Sequence, residues 1–186
     1  MNIVFRLFLT FNATSLLVII FLVQKGHSLG YFFTKCPYLP YRPDFIELPN
    51  YYSYALYLLV PILLTGISIL LSSLLGKDSF KSGDIINIEH ANNSFLPSYL
   101  GYFFVALSIA NWETLWFVYG VLFMFTFRSQ ALYFNPIFLL FGFDFYNITT
   151  KNGAVVFLIS RNSFKIPANI DIARVRRINN YTFIER

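Results

Sequence analysis

The residues able to carry chemistry in this 186-residue chain are few, and their spacing is poor for catalysis. His27 and His90 are the only histidines, and neither has a carboxylate or cysteine partner at metal-binding spacing. Both read as solvated loop residues. Cys36 is the single cysteine, which excludes a disulfide framework within the chain and a cysteine-based metal site. There is no phosphate-binding glycine loop, no dinucleotide fingerprint and no nucleophile elbow. Catalysis needs a positioned acid, base or nucleophile, so the chain is expected not to be an enzyme and to use no metal or cofactor.

Two groups of polar residues remain. Glu113, between Trp112 and Trp116, interrupts an apolar run from Phe95 to Phe127. Several copies around an axis would place its carboxylates in a ring at a pore mouth. A single copy would sit at the solvated tip of a helical turn, with the two tryptophans at headgroup level. The second group is basic: Arg161, Lys165, Arg174, Arg176 and Arg177. Clustered Lys and Arg suit nucleic-acid phosphates, but no reading motif accompanies them. They equally suit anionic lipid headgroups, at about 1 kcal/mol per residue near the surface, or an acidic protein. Lipid contact and partner docking are the expected uses.

The elements that must hold these residues are apolar. Hydrophobic residues make up 56% of the chain and charged residues 12%, against about 25% charged in a soluble domain. A helical span needs about 20 apolar residues, which leaves room for one membrane bundle and one small module. Leu7 to Val23 is too long for a signal-peptide core and reads as a retained span, its Thr10, Asn12, Thr14 and Ser15 turned towards other helices. Tyr54 to Leu75 is uncharged throughout and contains Pro61. The 95–127 run would be about 50 Å long as one helix, so a hairpin turning at Asn111-Trp-Glu-Thr114 is expected. The expected fold is thus an α-helical integral membrane protein. Residues 1–134 form a four-helix transmembrane bundle, with spans at about 4–23, 54–75, 95–111 and 114–130. Residues 135–186 form a small β-rich cytoplasmic module.

Local signals shape that module. Asn135-Pro136 reads as a helix start and Gly142 as its stop. Asp144–Thr150 and Ala154–Ser160 flank a Lys151-Asn-Gly153 turn as a β-hairpin, and Arg177–Ile184 is expected to return as a third strand. Asp84–Glu89 alternates well enough for a short strand or a loop. From Arg128 to the end, eight basic residues stand against three acidic ones, so the entire net charge of +5 lies in the tail. Basic segments stay inside, so both termini are expected on the cytoplasmic side of the membrane.

Taken in sequence, Asn135-Pro-Ile-Phe-Leu-Leu-Phe-Gly142, Phe143-Asp-Phe-Tyr146, the Asn-Gly turn and Val155-Val-Phe-Leu-Ile-Ser-Arg161 resemble the membrane subunit family of the Kiwa anti-phage defence system, KwaA. The likeness extends over nearly the whole chain. It implies a homo-oligomer, taken as a tetramer, that senses phage attack at the envelope. It also implies a cytoplasmic partner, the DNA-binding effector KwaB, so that nucleic acid is met only through that partner. The competing expectation is an oligomeric ion-conducting or membrane-perturbing protein, drawn from Glu113 and Asn12.

Overall fold

The computed structural model describes residues 3–35, 49–81, 83–93, 96–129, 135–164 and 172–185. Six α-helices occur among them: α1 (Ile3–Gln24), α2 (Leu29–Lys35), α3 (Asn50–Leu71), α4 (Leu96–Ser108), α5 (Trp112–Ser129) and α6 (Ile137–Leu140). Six strands accompany them: β1 (Gly76–Phe80), β2 (Ile85–His90), β3 (Asp144–Thr150), β4 (Val155–Ser160), β5 (Ile172–Arg177) and β6 (Thr182–Glu185). The strands form one mixed sheet in the order β1-β5-β6-β4-β3-β2, antiparallel except for the parallel β4–β6 pair.

This is an α/β architecture, and it corrects the expected four-helix transmembrane bundle with a small C-terminal β module. Only α1 and the segment Asn50–Leu74 are long and apolar enough to cross a membrane among the described residues. At 1.5 Å per residue the 13-residue α4 rises about 20 Å, well short of a hydrocarbon core of about 30 Å. The 18-residue α5 carries Glu113 in its first turn and Arg128 in its last. The β layer is also larger than expected. The connection after α3 supplies β1 and β2, so the sheet draws strands from before residue 134 as well as after it. The expected third strand at Arg177–Ile184 is instead the end of β5, a turn, and β6.

The sheet cannot be flat. Its two edges, β1 and β2, are consecutive in the chain, and the step from Phe80 to Ile85 reaches at most about 17 Å. Five inter-strand spacings laid flat would need about 24 Å. The sheet therefore curls into an open barrel, and two bulges assist the bend, one in β5 between Ile172 and Val175 and one in the edge strand β2 between Ile85 and Asn87. Ile148, Leu158, Val175 and Phe183 fill the concave interior. The Phe80 ring stands edge-on to Phe183 at 5.1 Å, reaching inward from the β1 edge.

Alternation along the strands sends the other side chains to the convex face. There Phe145, Phe157, Ile159 and Ile184 pack with Phe5 and Leu9 of α1, Phe138 of α6 and Tyr99 of α4. Helix α1 runs from this contact to a second cluster, where Leu17 and Phe21 meet Ala106, Ile109 and Leu115. The α4–α5 hairpin thus lies along α1 and turns at its far end. Gly66 of α3 leaves room for the Phe141 ring, whose edge comes within 3.4 Å of where a Cβ would lie.

The local signals of the module are realised with small shifts. Asn135 Oδ1 accepts from the Ile137 N–H (3.1 Å), so α6 begins one residue later than Pro136. Gly142 and Gly153 adopt positive φ, closing α6 and the β3–β4 turn.

Candidate functional site

The register of the sheet places the arginines. One row crosses the convex face from Phe145 through Ile159 and Ile184 to Arg176 and Lys77. This face is therefore apolar beneath the helices and basic at the β1–β5 edge. Arg174, two residues before Arg176, is exposed and lies in the irregular stretch of β5 between Ile172 and Val175. The adjacent row, Tyr146, Leu158, Phe183, Arg177 and Gly76, belongs to the concave side.

Each arginine has a different task. Arg176 is half-buried and donates to the Leu75 carbonyl (3.1 Å), satisfying backbone where the helical segment from α3 ends. Arg177 donates to Asn180 Oδ1 (3.1 Å) and remains exposed. Arg161, just after β4, lies with its guanidinium 4.5 Å from the Phe143 ring centre, a cation–π contact. Beside it Glu185 accepts from Asn162 Nδ2 (2.7 Å) and from the Ser160 hydroxyl. Lys165 lies outside the described residues.

The tryptophans and Glu113 are far from this basic edge. The α1 contacts at Phe5 and Phe21 are sixteen residues apart, about 24 Å along the helix, and Trp112 belongs to the Phe21 end. Glu113 is exposed at the hairpin end of α5. Asn111 is the cap, its Oδ1 accepting from the Thr114 N–H (2.8 Å), and Glu113 sits in the first helical turn, where a carboxylate suits the helix dipole. Trp112 is packed against Phe21 with ring centres 5.2 Å apart, while Trp116 is exposed.

Three polar constructions were not visible as such in the sequence. His27 is not a solvated loop residue. Its ring is stacked between Tyr31 (4.1 Å) and Trp112 (5.3 Å), and Nδ1 is buried with no hydrogen-bond partner among the described residues. Burial, then the charges of Lys35 and Lys25, push its pKa down. At the middle of the helices, Asn12 is fully buried. Its amide, oriented to match donors with acceptors, accepts from Asn135 Nδ2 (3.0 Å) and the Thr65 N–H (3.2 Å), and donates to the Pro61 carbonyl (3.2 Å). The polar residues of the first apolar stretch were the signal for this junction. Arg6 is buried too, donating to the Phe127 carbonyl (3.0 Å) near the end of α5 and lying over the Phe127 ring.

Among the described residues, no group of three or more His, Cys, Asp or Glu side chains is gathered at metal-binding distance. His90 Nε2 lies 3.8 Å from Asp144, an exposed pair at the end of β2. The geometry thus offers two built regions: a basic sheet edge beneath apolar helices, and an aromatic cage around His27 at the opposite end.

Comparison with known families decides the identity. Residues 5–184 match the family described as "Anti-phage protein KwaA", nearly the whole chain. The chain belongs to the KwaA family. No curated protein and no solved structure matches it. The KwaA match covers the apolar helices and all six strands together, so helices and sheet form one family unit. Membership gives this chain a role in anti-phage defence.

Proposed function

We propose that this KwaA-family chain is a membrane-anchored sensor and scaffold of an anti-phage system. It is held in the bacterial inner membrane by α1 and α3, and its sheet and both termini face the cytoplasm. The single observation behind this reading is the segregation of exposed apolar side chains. Leu56, Leu63, Ile67 and Leu70 of α3, Phe103 and Phe104 of α4, and Phe117 and Phe125 of α5 are all exposed. On the strands, exposed large hydrophobics among the described residues are confined to Ile86 and Val155. A water-soluble monomer seldom exposes so continuous an apolar surface. Lipid or further copies of the chain would cover it, and the basic sheet would stay in water.

In this reading the chain is not an enzyme and takes no cofactor. It transmits an envelope signal from the far end of the helices to the sheet and presents Arg161 and Arg174 to an acidic surface of a KwaB-type effector, which handles the nucleic acid. Detergent-solubilised pull-down with the effector tests the scaffold role. The wild type should retain the effector, and Arg161→Ala with Arg174→Ala should lose most of it. Failure of the well-folded wild type to retain the effector refutes the recruitment reading.

A further inference from the structure

The helical segment from α3 meets the sheet at a cleft. Its space is about 350 Å³, and Leu74, Leu75, Arg177, Asn179 and Asn180 are among the residues around it. Gly76, directly across from Arg177 in the β1–β5 register, has nothing within 4 Å of where a Cβ would stand, so this strand edge is open. No described lining residue carries a carboxylate. The exposed Arg177 guanidinium donates to Asn180 Oδ1, a bond that uses one of its five N–H donors. Next to the cleft, Leu70 is 66% exposed and Leu74 77% exposed, although both belong to the segment apolar enough to cross a membrane. A cationic fork and the exposed Asn180 amide therefore stand where an apolar surface begins.

We propose that this cleft binds the phosphate of an anionic phospholipid headgroup, with the acyl chains along Leu70 and Leu74. The proposal rests on the membrane reading above and adds to it a specific headgroup site. Guanidinium groups suit phosphate because several N–H donors converge on its oxygens. The Asn180 amide, exposed in the β5–β6 turn, supplies a neutral donor beside the charge. The neighbouring Arg176 is already committed to the Leu75 carbonyl and fixes the wall of the cleft. Arg177 is the cation that selects a net negative lipid over a zwitterionic one.

The test uses full-length protein reconstituted in nanodiscs with equal amounts of phosphatidylglycerol and phosphatidylcholine, followed by native mass spectrometry of the lipids it retains. The wild type should hold phosphatidylglycerol in about fivefold excess, the preference expected of one basic residue near the surface. Arg177→Ala and Arg177→Gln, both at an exposed position and checked for unchanged circular dichroism, should abolish the excess, whereas Arg161→Ala should keep it. Equal retention by inserted wild-type protein overturns the lipid site and leaves the anchoring reading intact. An excess that survives both Arg177 substitutions, or one that inorganic phosphate displaces, also overturns it. Arg177 variants that lose the effector but keep the lipid excess would assign the cleft to a protein partner. Protein that never enters the nanodiscs removes the anchoring reading and this proposal together.

Discussion

His27 shows how a residue acquires a character that its type does not carry. Burial, then the charges of Lys35 and Lys25, disfavour the imidazolium, and stacking on Tyr31 and Trp112 holds the neutral ring in place. A depressed folded-state pKa means that the stabilising contribution is fully present above the ordinary value of 6.5 and is lost as pH falls below it. The Tm of solubilised protein should therefore drop as pH is lowered below about 6.5. His27→Gln should remove that part of the acid dependence. An identical pH profile in the variant would show that His27 contributes none of it. Arg6 is the contrasting case, a buried cation satisfied by a carbonyl and a ring face where the α5 helix ends.

At the scale of elements, the α4–α5 hairpin depends on how its turn is capped. Asn111 satisfies one of the free N–H groups that open α5, and Glu113 adds a favourable charge in the same turn. Asn111→Ala should cost about 1 kcal/mol of stability, and Asn111→Asp should recover most of it. Equilibrium unfolding of the solubilised protein measures both; equal stability of the alanine variant would mean that packing alone holds the turn. The same hairpin explains the corrected helix count. Its turn was legible from Asn111 and Glu113, but a 13-residue α4 is too short for a span, and only the completed chain path reveals that length. The β-hairpin at Asp144–Ser160 was legible because its turn residues and its β-prone runs agree. Strand β1 was not legible. Gly-Lys-Asp-Ser-Phe has almost no buried side chain, and it becomes a strand by pairing with β5, nearly a hundred residues away.

For the whole molecule, the decisive relation is that α1 starts at the sheet and α3 returns to it. Phe5 and Leu9 pack with the convex face, the connection at the opposite end carries His27, and β1 follows directly after α3. If both helices span, the sheet must lie entirely on one side. With native Cys36 replaced by serine, Lys25→Cys should react with a membrane-impermeant maleimide in cells with a permeabilised outer membrane. Asn180→Cys should react only in inverted inner-membrane vesicles. Labelling of both from the same side would refute the two-span path.

The sequence by itself determined that the chain is dominated by apolar helices, that Asn12 and its neighbours face inward, and that the short helix and β-hairpin follow Asn135. It also carried the family likeness, because those are properties of composition and of neighbouring residues. Tertiary structure decided that the β layer has six strands, that Arg176 and Arg177 lie on opposite faces of it, and that His27 is caged. Each of those depends on register or on contacts between distant segments, and local periodicity does not encode which segment will lie opposite.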